Sequence, residues 1–245
     1  MSTMLIGAHE PLAVEVAATI RAGDVRGLQE LLAAHPGLAA ARLGDELVNR
    51  TLLHVATDWP GHFPNGPVVV AALVAAGADV GARFTGPHAE TPLHWAASCD
   101  DVAVLDTLLD LGADIEIDGS VIAGGTAIAD AVAFGQWRAA RRLYERGART
   151  TLWQAAGLGE LDRVAAYFAP GTPPPPAIEI TEALWCACHG GQQSTAAYLR
   201  DRGGDIDWVG YDELTPLDAA VRGDHAEVVA WLEGLGARSA KEERA

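Results

Sequence analysis

The stretch Thr91–Asp114, TPLHWAASCDDVAVLDTLLDLGAD, decides how the rest of this chain is read. Thr91 is placed to cap a helix by accepting a hydrogen bond from a free backbone N–H. Pro92 falls at the first helical position, where its missing N–H costs nothing. Leu93, Ala96 and Ala97 form a narrow apolar face, and the alanines let a neighbouring helix come close. A second helix is predicted next, because Val102, Leu105, Leu108 and Leu109 recur at helical spacing. Gly112 ends it, as the residue most tolerant of a left-handed backbone. Two short antiparallel helices and a turn cannot bury their own apolar faces, so such a unit needs a copy of itself on each side.

Copies follow in both directions. TLLHVAT begins at Thr51, TAIADAVAFGQW at Thr126, TTLWQAAGLGEL at Thr150, EALWCACHGGQQ at Glu182 and TPLDAAVRGDHA at Thr215. A further helix pair without the TPLH opening is read from about Val14 to Ala41, turning at Gly23-Asp24. The pattern TPLHWAA…LLDLGAD resembles the ankyrin repeat, whose signature is T-P-L-H-x-A at a period near 33. The resemblance implies an all-α ankyrin-repeat solenoid of about seven helix–turn–helix units. They begin near 14, 51, 91, 126, 150, 182 and 215, in one domain over residues 1–245. The first unit is expected to be an atypical cap and residues 239–245 a frayed tail. The Ala/Gly/Arg-rich usage suggests a bacterial-type member.

The spacing is uneven. Steps between the openings at 51, 91, 126, 150, 182 and 215 are 40, 35, 24, 32 and 33 residues. The longest contains the insertion Trp59–Pro67, and the shortest leaves no room for a finger loop, since Gly147-Ala148-Arg149 runs straight into Thr150. Pro173–Pro176 replaces another finger with a stiff, extended strap.

Composition excludes several functions. A formal net charge of −16 argues against nucleic acid and anionic membrane surfaces as partners, and favours a basic or neutral protein. Three cysteines make no disulfide framework, so a reducing cytoplasm is expected. MSTMLIGAHEP lacks a basic segment and a long apolar core, so it does not read as an export signal, and no run is long enough to span a membrane.

Function is sought on the concave side, where the resemblance places first helices and fingers. The expected partner-binding residues are Asp58, Trp59, Glu90, Trp95, Ser98, Asp130, Gln154, His189, Trp208 and Tyr211, with Phe134, Asp212 and Arg222 beside them. Trp and Tyr dominate binding hot spots. Trp137, Trp153, Trp185 and Trp231 are read instead as filling gaps between helices. His54 and His94 hold the fourth motif place, where the resemblance implies a backbone-linking role. Ala129, Trp153, Trp185 and Asp218 stand there in the other units.

The competing reading is an enzyme or small-molecule binder. It rests on Asp58, His62, His88, Glu90, His94 and Asp130, which combine imidazole with carboxylate. No HExxH, GxSxG or phosphate-cradling glycine loop accompanies them. Cys186-Ala187-Cys188-His189 lacks the second pair a tetrahedral metal site needs. No cofactor or metal is expected. Arg138, Arg141, Arg142, Arg146 and Arg149 are read as a solvated convex face interrupted by Glu145. The expectation is therefore non-catalytic protein recognition by a monomer.

Overall fold

The first helices begin where a threonine and a following apolar run meet. Thr51, Thr91, Thr126, Thr151 and Thr215 each stand at the N-cap with extended backbone, immediately before a short helix. A computed structural model describes residues 4–243, and Met1–Thr3, Arg244 and Ala245 lie outside the described residues. Its contacts divide the chain into two compact bodies, Met1–Ala148 and Arg149–Ala245.

The N-terminal body holds four helix pairs: α1 (Pro11–Ala22) with α2 (Val25–Ala34), α3 (Leu52–Ala56) with α4 (Gly66–Ala75), α5 (Pro92–Ser98) with α6 (Val102–Asp110), and α7 (Ala127–Ala133) with α8 (Trp137–Glu145). The C-terminal body holds three: α9 (Leu152–Leu158) with α10 (Leu161–Ala166), α11 (Ala177–His189) with α12 (Gln193–Arg200), and α13 (Pro216–Arg222) with α14 (Ala226–Gly234). The predicted helix pairs are present. The sixth starts earlier than Glu182, because Pro176 leads directly into α11 and adds an N-terminal turn with Ile178 exposed.

Packing explains the short helices. Leu28, Leu53, Leu73, Leu93, Leu105, Leu108, Ile128 and Leu143 are fully buried in the N-terminal body. Each contributes roughly 1.5–3 kcal/mol by leaving water. Ala96, Ala97, Ala127 and Ala131 are buried where α5 meets α7, so small side chains set the close approach. Leu152, Val164, Leu184, Leu199, Val228 and Leu232 form the corresponding core of the C-terminal body.

Three short strands were not expected. β1 (Leu5–Ile6) pairs parallel with β2 (Arg42–Gly44), which pairs antiparallel with β3 (Asn49–Thr51) in the order β1-β2-β3. The turn between β2 and β3 is held by Asp45, whose Oδ1 accepts from the Leu47 and Val48 amides at 2.8 Å each. Asn49 also bridges to Thr85, and the Arg42 guanidinium donates to the Arg83 carbonyl at 2.6 Å. The sheet thus fastens the first finger to the next. The tail begins with a helical turn, α15 (Ala240–Glu243), whose first N–H donates to Asp218 Oδ2 at 2.8 Å.

The insertion is braced on both sides. Asn65 Nδ2 donates to the Gly23 carbonyl at 2.9 Å, after α1. His62 donates from its backbone to Asp101 Oδ2 at 2.8 Å, and from its ring to the Cys99 carbonyl at 3.1 Å, before α6. Asp101 also caps α6 through the Val104 amide.

Candidate functional site

Most polar residues at the fourth motif place are spent on architecture. His54 Nδ1 faces the Thr51 hydroxyl at 2.8 Å, and its Nε2–H donates to the Glu90 carbonyl at 3.1 Å. His94 repeats this with the Thr91 hydroxyl at 2.9 Å and the Gly125 carbonyl at 3.4 Å. A carbonyl only accepts, so each Nε2 carries the proton and each Nδ1 is the acceptor. Both rings are buried, and burial pushes their pKa down to about 4, which keeps them neutral.

The C-terminal body uses other side chains for the same tasks. Trp185 Nε1–H donates to the Leu214 carbonyl at 2.9 Å. Glu90, Gly125 and Leu214 all immediately precede the next cap threonine, so an indole here replaces an imidazole. At the fifth pair the cap is Thr151 rather than Thr150, which moves the frame by one residue. Gln154, not Trp153, therefore fills the histidine place. It is buried, and its Oε1 accepts from the Thr151 amide at 2.8 Å. Asp218 serves Thr215 in the same way, at 2.9 Å to the hydroxyl.

The proposed acid–base set does not come together as a histidine–carboxylate couple. Asp58 Oδ2 accepts from Arg21 at 2.8 Å and from Arg50 at 2.7 Å. His62 is turned onto the Cys99 carbonyl, and His88 is exposed. His94 is committed to Thr91 and Gly125. Among the described residues no hydrogen bond or ion pair joins a histidine of this set to one of its carboxylates. Glu90 and Asp130 lie near enough for the charge of one to act on the other. Both are buried, and burial raises both carboxyls, Asp130 to about 7. The Glu90 charge adds to the rise at Asp130, whereas the Ser120 hydroxyl, donating to Oδ1 at 2.5 Å, opposes it. Asp130 Oδ2 has no hydrogen-bond partner among the described residues.

The aromatic residues divide sharply. Trp59 is 81% exposed on the braced insertion. Trp95 is half-buried, with His54 against it edge-on at 4.9 Å and Phe84 at 5.6 Å. Ser98 donates to the His94 carbonyl at 3.0 Å, and Phe134 is exposed. In the C-terminal body Tyr211 is 48% exposed and lies edge-on to Trp185 at 5.3 Å and Trp208 at 5.8 Å. Burial and the neighbouring Glu182 push the Tyr211 hydroxyl up to about 12. His189 is buried with its ring 5.2 Å from Trp185. Arg222 pairs with Asp212. Cys186 and Cys188 are buried, and burial raises both thiols.

The arginines after Trp137 are less free than a solvated face suggests. Arg142 and Arg146 both clasp Asp106, each at 2.8 Å, and Arg146 also reaches Asp110 at 2.7 Å. They join α8 to α6.

Comparison with known proteins agrees with this geometry. The ankyrin repeat family model matches residues 89–120. An ankyrin repeat and KH domain-containing protein of Caenorhabditis briggsae is 29% identical over 179 residues, covering 70% of this chain and 7% of that protein. The ankyrin repeat and KH domain-containing protein mask-1 of Caenorhabditis elegans is 42% identical over 50 residues, 20% of this chain and 2% of that protein. The chain thus spans less than a tenth of either relative. The crystal structure of the human ASB11 ankyrin repeat domain matches with a TM-score of 0.53 at 18% identity, covering 91% of this chain and 97% of that one. The chain thus carries an ankyrin repeat at residues 89–120 and has the fold of an ankyrin repeat domain. No described helix is long and apolar enough to cross a membrane.

Proposed function

We propose that the protein is a non-catalytic recognition module that binds another protein through the first-helix and finger side of its repeats. Trp59 in the N-terminal body, and Tyr211 with Trp208 in the C-terminal body, are the anchors. Trp95, Ser98 and the Asp58 carboxylate flank the N-terminal anchor. Glu90, Gln154, His189 and Asp130 are too deeply buried to meet a partner directly, and act by holding the surface in shape.

The observation that carries this reading is Trp59. Its ring stands 81% exposed on a loop tied to Gly23 on one side and to Cys99 and Asp101 on the other. An indole held out in water by a braced loop has already lost the freedom that binding would otherwise cost. A net charge of −16 favours a basic partner and speeds its approach. The reading places the protein in the cytoplasm as a monomer, in keeping with its free thiols, and a bacterial source remains part of it.

The test is affinity capture with the wild type, Trp59→Ala and Tyr211→Ala, each checked for an unchanged melt. Loss of the same captured protein from both variants supports the assignment. Identical capture by all three removes it.

A second reading, a small-molecule site around the second to fourth helix pairs, is favoured by one observation: the unpartnered Asp130 oxygen near Glu90. Asp130→Asn separates the two, since it leaves Trp59 and Tyr211 intact.

A further inference from the structure

A cavity of about 280 Å³ lies between α1 and the small sheet. Ala13, Val14 and Ala17 of α1 form one wall and Leu43 of β2 another, while Arg21 and Arg50 close the polar end. The small alanine side chains leave the space open. Its volume falls just below that of ligand clefts, which run from about 300 to 1,000 Å³, so it suits only a small ligand.

The charge at the polar end is unbalanced. Arg21 and Arg50 both donate to the same oxygen, Asp58 Oδ2, at 2.8 and 2.7 Å, and Asp58 Oδ1 accepts from the Trp59 amide at 3.1 Å. Two guanidinium groups therefore share one carboxylate. Among the described residues Asp58 is the only acid paired with either. Asp58 does not line the cavity, whereas both arginines do. A guanidinium has five N–H donors in a planar fork suited to carboxylates, so each retains donors after serving Asp58. In a chain of net charge −16 this is a local excess of positive charge against an apolar wall.

We propose that this cavity binds an organic carboxylate carried on a short aliphatic body, with the anion on Arg21 and Arg50 and the hydrocarbon against Val14, Ala17 and Leu43. Such a group is offered by a free short-chain acid or by the C-terminal carboxylate of a chain ending in a small aliphatic residue. The site touches the protein-binding surface proposed above only through Asp58. Asp58 sets its strength, because it competes with the ligand for the two guanidinium groups.

The experiment titrates the full chain with isovalerate and follows the methyl resonances of Val14 and Leu43, with isovaleramide as the neutral control. Saturable binding is expected, at least tenfold tighter for the acid than for the amide. Arg21→Gln and Arg50→Gln should each weaken it about tenfold or more, and Asp58→Asn should strengthen it several-fold. Ala17→Leu, which fills the space and leaves both arginines, should abolish it. Thermal melts identify any variant that fails to fold, and the wild-type comparison of acid with amide stands without variants. N-acetylvaline distinguishes the sources: tighter binding than isovalerate assigns a chain terminus, weaker binding a free acid. The proposal is overturned if the amide binds as well as the acid, if folded arginine variants bind like the wild type, or if neither acid saturates.

Discussion

Replacing Asp130 by asparagine should stabilise the protein at alkaline pH far more than at acidic pH. Asp130 is fully buried and its carboxyl is raised from 3.8 to about 7, chiefly by burial. The folded state therefore holds a proton that the unfolded chain releases from about pH 4 upward. Stability from this group is present below the unfolded pKa and is lost as pH rises through the folded one. Integrating the two titrations gives a cost of roughly 1.7 kcal/mol at pH 5 and about 4 kcal/mol at pH 8. Asparagine keeps an oxygen for the Ser120 hydroxyl but cannot ionise. Its amide introduces a burial penalty of its own, which is the same at every pH. The gain from Asp130→Asn should accordingly grow by about 2–3 kcal/mol between pH 5 and pH 8. Urea denaturation of the full chain at the two pH values, followed by circular dichroism, measures this. A gain independent of pH would mean that Asp130 ionises normally, and the argument from its burial would fail.

Three further outcomes follow from the same contacts. His94 is held neutral with a pKa near 4, so its stabilisation is present above pH 6.5 and lost as pH falls toward 4; His94→Gln should flatten the acid limb of the stability curve by up to about 3 kcal/mol, read from melts between pH 4 and 7. Trp185→Phe removes the indole N–H from the Leu214 carbonyl, which keeps the Gly210 amide as a donor; the loss should be only about 0.5–1.5 kcal/mol, seen as faster hydrogen exchange in α13. Gly23 has φ 65°, and an added Cβ would lie 2.0 Å from the Pro64 carbonyl oxygen; Gly23→Ala should cost about 2–4 kcal/mol in chemical denaturation, and an unchanged midpoint would show that the insertion yields.

The helix pairs were legible because each carries its own punctuation. Thr51, Thr91 and Thr215 precede apolar runs with alanine at close approaches, and Gly23 marks the first turn. The β1–β3 sheet was not legible, since strands of two or three residues are too short to show alternation. The frame at Thr150-Thr151 was ambiguous in sequence because either threonine can cap; the hydrogen bond from Thr151 to Gln154 resolves it. At the site, exposure of Trp59 could be anticipated from its place in an insertion. The pairing of Asp58 with Arg21 and Arg50 could not, because the partners are distant along the chain and lie on different elements. The nearness of Glu90 to Asp130 depends in the same way on how α7 stacks beside α5.

The ring N–H groups of His54, His94 and Trp185 all end on main-chain oxygens, at residues as unlike as Glu90, Gly125 and Leu214. A tie to the peptide unit places no demand on the identity of the residue that receives it. Selection can therefore rewrite the residues of the fingers while the mortar between successive courses stays intact.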